Sequence, residues 1–302
     1  NSAKTSIDLE QFYISDKAGE QLEPVLKAIE QAAVVRGVRV RLIADKKFYA
    51  NYPESVNAIG KLPKAEMRIL DYSVFGGVQH AKFFMVDGKQ SFLGSANFDW
   101  RALNQIHEIG LKITDKKVNS DLARVFEKDW NMALTGQVVS EDPAAPPVRL
   151  FDKIFRRSSD LYVVASPLAA NPSAIPESLK AITDLIDSAV PTKRLPMPVI
   201  RIQVMEYNTR SSTPNAPAWK GLDDSIRKAA ERGIRVQLLV DFTNIKKAEK
   251  SLKDLAAVKN IEVKTVLIPQ WSGGAIDYAR LVHSKYMVVD TSSSTSVSWV
   301  GT

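Results

Sequence analysis

Two short segments of the chain share one arrangement of residues that could carry out chemistry. In "HAKFFMVD", residues 80–87, a lysine follows a histidine at the second position and an aspartate follows that lysine at the fifth. The same spacing recurs in "HSKYMVVD", residues 283–290. Only three histidines occur in the chain, and two of them begin this pattern. A single His-x-Lys carries no information, but its repetition with matched aspartates indicates a functional site.

Both segments read as strands, in which side chains two positions apart face the same side. His80 and Lys82 should therefore project together, as should His283 and Lys285. Two imidazoles and two ammonium groups suit a phosphate diester, because lysines stabilise the charge that develops on its non-bridging oxygens. One imidazole can attack phosphorus while the other protonates the leaving oxygen, and water then resolves the phosphohistidine. We predict these four residues to be catalytic.

Five further residues are candidates for supporting roles. Asn97 ends the small-residue run "GSAN" and could donate to a phosphate oxygen, so we predict that it binds substrate. Asp87 and Asp290 lie an odd number of residues from the histidines, point away from the site on a regular strand, and should support it from behind. Glu108 is the better candidate for orienting a histidine through its ring N–H. Trp271, in the loop "PQWSGG", is the best candidate for stacking on a base.

The residue inventory favours neither a metal site nor a cofactor. The chain has no cysteine, and two of its three histidines already belong to the repeated pattern, so a zinc site of histidines and cysteines is not expected. A divalent ion held by some of the 34 acidic residues stays open at this point. Glycine motifs of the kinds that bind nucleotides are missing. We predict no cofactor and no metal.

The elements that must position these residues occur twice in the same order. Each half has a strand, an amphipathic helix that stops at Arg-Gly, a second strand, a third strand, a glycine-containing loop and the histidine segment. The strands fall at 6–14, 38–45 and 65–70 in the first half and at 199–207, 234–241 and 261–266 in the second. This order predicts an α/β fold of two pseudo-symmetric halves, each a mixed β-sheet flanked by helices, with the active site at their interface.

The clearest loop in the chain separates the two halves. It contains "EDPAAPP", residues 141–147, and follows a helical stretch around 118–134. We therefore predict a first half at 1–140, a linker at 141–159 and a second half at 160–302, which begins with the strand "DLYVVASP" at 160–167.

Composition narrows the class of protein and its partners. The 302 residues are 45% hydrophobic and 25% charged, as in soluble globular proteins. The net charge of +7 favours a polyanionic partner, either nucleic acid or an anionic lipid surface. No apolar run reaches the roughly 18 residues that span a bilayer. The absence of cysteine fits a cytoplasm or a bacterial envelope; we expect that upstream residues, including any leader, have been removed, and export to a bacterial periplasm is one interpretation.

The double His-x-Lys-x4-Asp, followed in the first half by Gly-Ser-Ala-Asn, resembles the signature of the phospholipase D superfamily. Three stretches are similar to the branch of phospholipases D three and four: residues 80–110, "SKYMV" at 284–288 with "WVGT" at 299–302, and "YVVASP" at 162–167. Members of that branch are known as lysosomal 5′-exonucleases on single-stranded DNA and RNA. The resemblance implies the two-half fold and a hydrolase that works without metal.

The resemblance also implies roles for individual residues. His80 would be the nucleophile and His283 the general acid, Lys82, Lys285 and Asn97 would hold the phosphate, and Glu108 would orient a histidine. The family would continue with Ser-Asn and a further strand where this chain ends in "WVGT". We therefore expect the second half to be truncated at its C-terminal end.

Three functions stay open on the sequence. The favoured one is a phosphodiesterase that acts as a 5′-exonuclease on single-stranded DNA or RNA. The alternative is a phospholipase D or transphosphatidylase acting on phospholipids, although the loops before the two histidines, 73–79 and 268–274, are neither long nor strongly apolar. The third is a binding protein that has kept the fold without catalysis. The sequence predicts no oligomeric state.

Overall fold

The computed structural model describes residues 2–136, 161–209, 220–292 and 295–302. These residues form two compact units, each built on one β-sheet. The first unit comprises Asn1–Gln105, Gly110–Glu177 and Thr302, and the second comprises Ile106–Ile109 and Ser178–Gly301. Within the described ranges no helix is both long enough and apolar enough to cross a membrane.

The first unit is built on a six-stranded mixed sheet. Its elements, in chain order, are β1 (Ser6–Gln11), β2 (Ile14–Ser15), α1 (Glu23–Val34), β3 (Arg39–Asp45), α2 (Lys46–Tyr49), α3 (Pro53–Gly60), β4 (Ala65–Leu70), β5 (Lys82–Val86), β6 (Gln90–Gly94), β7 (Phe98–Asp99), α4 (Trp100–Asn104), β8 (Gly110–Ile113) and α5 (Lys116–Thr135). The sheet order is β4-β3-β1-β5-β6-β8, in which β4, β3 and β1 are parallel and the remaining neighbours antiparallel. β2 and β7 form a separate parallel pair.

The second unit repeats this topology in a five-stranded sheet. Its elements are α6 (Ser178–Asp187), β9 (Val199–Val204), α7 (Gly221–Glu231), β10 (Arg235–Asp241), α8 (Glu249–Ala256), β11 (Ile261–Val266), β12 (Lys285–Asp290) and β13 (Ser296–Gly301). The order β11-β10-β9-β12-β13 has the same strand directions as β4-β3-β1-β5-β6. The predicted α/β class, with a mixed sheet flanked by helices in each half, is confirmed.

The helices cover the sheets through the apolar faces that the sequence spacing predicts. On β3, Leu42 packs in one cluster with Leu22 and Ile29 of the α1 region, while its neighbour Ile43 packs in another with Phe126 of α5. Since successive residues of a strand face opposite sides, the first sheet is covered on both faces. In the second unit, α6, α7 and α8 contribute to one cluster against the sheet.

The helices α1 and α7 end in the same way. Gly37 and Gly233 follow them with φ of 65° and 86°, a conformation that glycine adopts without strain. The next residue in each case bonds back to the helix: Val38 N donates to Ala32 O at 3.0 Å, and Ile234 N to Ala229 O at 3.1 Å. The predicted Arg-Gly stops are therefore confirmed, and each turns the chain into the central strand that follows.

The strand predicted at 160–167 is wrong for residues 161–167, the part that the structure describes. Only Ala165 takes part in a bridge, with Glu177. Ala165 N donates to Pro176 O at 3.0 Å, and Asn171 Nδ2 donates to Ala165 O at 2.7 Å, so the segment satisfies its polar groups within its own loop rather than in a sheet. An alternating apolar pattern does not predict these hydrogen bonds, because it carries no information on which groups the backbone will bond to.

The stretch after the predicted linker packs in the first unit. Lys128 of α5 donates to Asn171 O at 2.6 Å, and Arg124 donates to Ser173 O at 2.6 Å. Residues 161–177 accordingly belong to that unit. The linker itself, 141–159, lies outside the described residues, so the boundary between the halves stays a prediction.

Asp87 anchors the beginning of the first sheet. It follows β5 with φ of 55°, and its carboxylate accepts the backbone N–H groups of Lys4, Thr5 and Ser6 at 2.8–3.1 Å. Asp290 does the same at the end of β12, where it accepts from Val199 N at 3.2 Å. Both aspartates therefore lie at the opposite end of their strands from the histidine segments, and they tie the sheet together.

We expect Asp87→Asn to lower the free energy of unfolding by about 1–3 kcal/mol, since the amide nitrogen replaces Oδ2, which accepts from Lys4 N, and the charge that strengthens the bonds to Oδ1 is lost. Asparagine tolerates the positive φ of this position, so the backbone itself should be preserved. Urea denaturation measures the loss. Binding of inorganic phosphate by the folded variant should match that of the wild type, and a loss of phosphate binding at unchanged stability would contradict the anchoring role.

A buried carboxyl pair joins β1 to α5. Glu10 and Asp129 are both buried, Tyr72 Oη donates to Asp129 Oδ1 at 2.9 Å, and Gln79 Nε2 donates to Glu10 Oε1 at 2.9 Å. Burial and the Asp129 charge hold the pKa of Glu10 well above its usual range, and burial raises the pKa of Asp129 to about 6. The pair therefore keeps a proton at neutral pH that the same groups lose when the chain unfolds.

This proton makes the stability of the first unit depend on pH. Because the folded state binds more protons than the unfolded state, stability falls as the pH rises from about 4, where carboxyls of the unfolded chain ionise, through 6 and beyond. Glu10→Gln mimics the protonated acid. It should raise the melting temperature at pH 8 by roughly 2–4 °C, the shift that about 1 kcal/mol produces in a chain of this size, and change it little at pH 4.5. Calorimetry at both pH values tests this; an equal shift at both would contradict it.

Candidate active site

The first His–Lys pair lies where β5 begins. The predicted strand at 80–87 starts only at Lys82, because Lys82 pairs with Gln11, the last residue of β1. His80 therefore precedes the strand. Lys82 Nζ nevertheless lies 3.0 Å from His80 Nδ1 and 2.5 Å from His80 O, so the two side chains meet on one face. The ring of Phe12 packs against both, 4.5 Å from the imidazole centroid and 4.9 Å from Lys82 Nζ.

The second pair repeats this arrangement at the start of β12. Lys285 Nζ lies 2.9 Å from His283 Nε2. His283 Nδ1 lies 2.9 and 3.1 Å from the two carboxylate oxygens of Glu108. Since a carboxylate only accepts and an ammonium only donates, the neutral ring carries its proton on Nδ1 and its lone pair on Nε2. Glu108, predicted to orient a histidine, is brought to His283.

Glu108 lies in a segment of four residues that packs in the second unit. Ile106–Ile109 belongs to the second unit, and His107 pairs there with the residues before β12. His107 N donates to Leu281 O at 3.2 Å, and His107 O accepts from His283 N at 3.0 Å and from Ser284 N at 3.1 Å. The third histidine of the chain thus acts through its backbone, and it sets Glu108 beside His283.

The pKa of Lys285, the lysine of the second pair, is lowered. Burial lowers the pKa of Lys285 to about 8, and the nearby carboxylate of Glu108 opposes this shift. Lys285 therefore changes its charge in a range that is easily reached in solution, whereas an ordinary lysine stays charged to about pH 10.

Asn97 lies between β6 and β7, and only 8% of its surface is exposed. Its Nδ2 is 3.3 Å from Tyr13 Oη, while its Oδ1 is buried without a hydrogen-bond partner in the described part of the chain. A buried polar atom of this kind is uncommon, and a ligand or water usually satisfies it. The atom without a partner is an acceptor, whereas the predicted role is donation to a phosphate oxygen, so the binding role of Asn97 stays a prediction.

Trp271 occupies a different setting, in the loop between β11 and β12. It is 54% exposed, and its ring lies so close to Gly273 that a side chain at that position would displace it. The exposed ring is available for stacking. Among the described residues, no hydrogen bond joins Trp271 to His283 or Lys285. Its role in substrate binding stays a prediction, as does the union of the two pairs in one site.

Sequence reasoning missed two residues that hold the histidine segments. Asp45 Oδ2 accepts Gln79 N at 2.8 Å, directly before His80. Asp241 Oδ2 accepts Val282 N at 2.8 Å, directly before His283. The signal was present, since each aspartate ends an equivalent strand, in "RLIAD" and "QLLVD".

Metal ligands do not gather in the described ranges: no cluster of three or more histidine, aspartate or glutamate side chains is found there that could hold an ion. Each unit brings together one imidazole and one ammonium group, and the second unit adds the carboxylate of Glu108. Such a set can bind a phosphate, exchange a proton and supply a nitrogen nucleophile.

We expect the affinity for inorganic phosphate to fall severalfold between pH 7 and pH 9.5, because Lys285 loses its charge near pH 8. A charge at contact distance is worth roughly 1–4 kcal/mol in a partly solvated site. Titration calorimetry measures the profile. Arginine stays protonated throughout this range, so Lys285→Arg should flatten it, and the same slope in that variant would contradict the assignment.

Comparison with known proteins shows what these features are similar to. Residues 1–130 match the family described as "Cardiolipin synthase, PLD-like domain". The 5′-3′ exonuclease PLD3 of Macaca fascicularis is 30% identical over 99% of this chain and 65% of that protein. The virion nicking-joining enzyme of vaccinia virus (strain Western Reserve) is 28% identical over 100% of this chain and 73% of that protein. The chain thus spans 65% of the length of PLD3 from Macaca fascicularis.

A solved structure supports the fold. Polyphosphate kinase from Porphyromonas gingivalis superposes with a TM-score of 0.57 at 15% identity, over 99% of this chain and 41% of that one. The matched domain contains the first His–Lys pair, and the alignment with PLD3 extends over the second. Taken with the repeated sheet and the duplicated pairs, the sequence matches show that residues 1–130 carry a PLD-like domain and that the chain is similar over its length to the 5′-3′ exonuclease PLD3.

Proposed function

We propose that the protein is a phosphodiesterase that hydrolyses single-stranded nucleic acid from its 5′ end through a covalent phosphohistidine. One observation carries the proposal: a lysine ammonium contacts a histidine ring nitrogen at the same place in both repeats, at 3.0 Å in the first and 2.9 Å in the second. Two such pairs provide a nucleophile, a proton donor and two positive charges for one phosphate.

The first step forms the intermediate. The lone pair of one imidazole attacks phosphorus, and the bond from phosphorus to the leaving oxygen breaks as the second histidine, in its protonated form, gives that oxygen a proton. Lys82 and Lys285 stabilise the negative charge on the non-bridging oxygens, and Asn97 adds an amide contact. We assign the attack to His80 and the proton transfer to His283 by the family resemblance. The contact of Glu108 with His283 Nδ1 keeps the ring oriented for either role.

The second step hydrolyses the intermediate and regenerates the free enzyme. The histidine that gave its proton is now neutral and takes a proton from water. The resulting oxygen–phosphorus bond forms as the phosphorus–nitrogen bond breaks, which releases the phosphate product and restores both rings. This sequence needs no group other than water and the side chains already named.

Two features favour nucleic acid over lipid. The relatives carry the names exonuclease and nicking-joining enzyme. The loop before β12 exposes two aromatic residues, Trp271 at 54% and Tyr278 at 81%, that could stack on unpaired bases. Phospholipid stays the alternative substrate, since the matched family is described by a cardiolipin synthase.

We expect the purified protein to release nucleotides from the 5′ end of single-stranded DNA or RNA in the presence of a chelator. His80→Ala should lower the rate by at least about 1,000-fold, as loss of a catalytic nucleophile does in other enzymes. End-labelled oligonucleotides resolved by electrophoresis give the rate and the polarity. Lys82→Met should have a comparable effect, and Lys61→Met, which changes an exposed lysine at the end of α3, serves as its matched control.

Mass spectrometry of single-turnover samples, quenched without acid, identifies the histidine that attacks. A nucleotide adduct on the peptide with His80 supports the assignment; an adduct on the peptide with His283 reverses the two roles and keeps the mechanism. Turnover of phospholipid vesicles without cleavage of oligonucleotides would favour the alternative substrate. Binding of oligonucleotides with neither activity nor an adduct would identify a non-catalytic binding protein.

A further inference from the structure

Two buried aspartates hold the chain immediately before the two histidines. Asp45 ends β3 and is 1% exposed; Asp241 ends β10 and is 0% exposed. These strands occupy equivalent places in the two sheets, beside β1 and β9 respectively. The same residue type therefore occurs at the same position of both repeats, in contact with the same neighbour of a histidine.

Each carboxylate makes two backbone contacts with its two oxygens. Asp45 Oδ1 accepts Phe48 N at 3.0 Å and Asp45 Oδ2 accepts Gln79 N at 2.8 Å. Asp241 Oδ1 accepts Thr243 N at 2.9 Å, and Asp241 Oδ2 accepts Val282 N at 2.8 Å. The first contact is an ordinary cap of the helical turn that follows the strand. The second reaches 34 residues along the chain in one repeat and 41 in the other.

A helical cap alone does not require this arrangement. Serine, threonine or asparagine caps a helix with one acceptor atom, about as well as aspartate does. Only a carboxylate offers two oxygens that both accept, so the pairing of a cap with a distant N–H selects aspartate at this position. In a buried site such a charge-assisted bond is short and strong, and it restricts where the next residue can lie.

That next residue is the histidine in both repeats. On its other side the chain enters β5 or β12, where backbone pairing holds Lys82 or Lys285. The histidine is thus fixed from both directions, by the aspartate before it and by the sheet after it. A ring nitrogen placed within about 3 Å of a lysine depends on both supports, and misplacement by about 1 Å can cost on the order of 100-fold in rate.

We propose that Asp45 and Asp241 are the positioning residues of His80 and His283, each acting through the backbone N–H that precedes its histidine. The proposal rests on the proposed function, in which both histidines react. It assigns no contact with the substrate to either aspartate. Its consequence is that each aspartate governs the geometry of one histidine and leaves the other unchanged.

The test uses variants of the full protein that separate the two contacts. Asp45→Asn and Asp241→Asn keep the shape but replace one accepting oxygen by a donor. Asp45→Ser keeps an acceptor for the cap and removes the reach to Gln79, so it remains informative where the asparagine variant does not fold. Asp115→Asn is the matched control, because Asp115 caps α5 at Val118 N and holds no histidine segment.

The first readout is the NMR titration of the histidine rings, which is simple because the chain has three histidines. We expect the Asp45 variants to change the chemical shifts and titration of His80 alone, and Asp241→Asn to change those of His283 alone. His107 is the internal reference for the Asp45 variants. This readout needs no activity, so it tests the positioning even if the protein hydrolyses no diester and the proposed function fails.

The second readout is the hydrolysis of two kinds of diester. Both aspartate variants should lower kcat on oligonucleotides on the order of 100-fold with KM changed little, whereas Asp115→Asn, which keeps its cap, should leave kcat and KM unchanged. A p-nitrophenyl leaving group needs no proton, so it should restore the rate of the variant whose histidine is the general acid and not that of the other. Histidine titrations and kcat per folded molecule equal to those of Asp115→Asn would overturn the proposal.

Discussion

The contact between a lysine ammonium and an imidazole lone pair is the constraint on which the rest of the structure depends. A lysine side chain has four rotatable bonds, and holding it against a ring costs conformational entropy that one neutral acceptor does not repay. The fold therefore supplies the geometry. In each unit the lysine begins a strand whose neighbours are fixed by the sheet, the histidine lies just before that strand, and a buried aspartate holds the residue before the histidine.

Duplication explains why the supports agree in the two units, and divergence explains where they differ. The register of the strands aligns Glu10 of β1 with Gln203 of β9, since they pair with Phe83 and Tyr286, the residues after the two lysines. Glu10 belongs to a protonated carboxyl pair behind the first histidine segment. Gln203 instead contacts Ser284 and accepts from Tyr286 Oη. The hydrogen bond from a buried aspartate to the backbone N–H before the histidine is common to both units. The polar side chains on β1 and β9 differ, so the two histidine rings have different environments.

Much of the site was predictable because it depends on local periodicity. The two-residue spacing places His80 and Lys82 on one face in any extended segment, and the repeat identifies their counterparts. Glu108 was predicted for its type and place, but the histidine that it serves depends on an excursion that joins residues 106–109 to the second unit. The hydrogen bond from Asp45 spans 34 residues and exists only after β3 and β5 share a sheet. The prediction of a strand at 160–167 was wrong for the same reason, since an alternating apolar pattern does not show which strand the segment would pair with.

The resting contacts imply an order of events when a phosphate arrives. In each pair the ammonium donates a hydrogen bond to the lone pair of a ring nitrogen, which is His80 Nδ1 in one unit and His283 Nε2 in the other. A nitrogen whose lone pair accepts from an ammonium can neither attack phosphorus nor take up a proton. Phosphate oxygens carry charge and are stronger acceptors for an ammonium than a neutral imidazole. In the proposed mechanism, a diester bound at a His–Lys pair would draw the lysine to its own oxygens and expose the ring nitrogen, so that substrate binding would also activate the histidine.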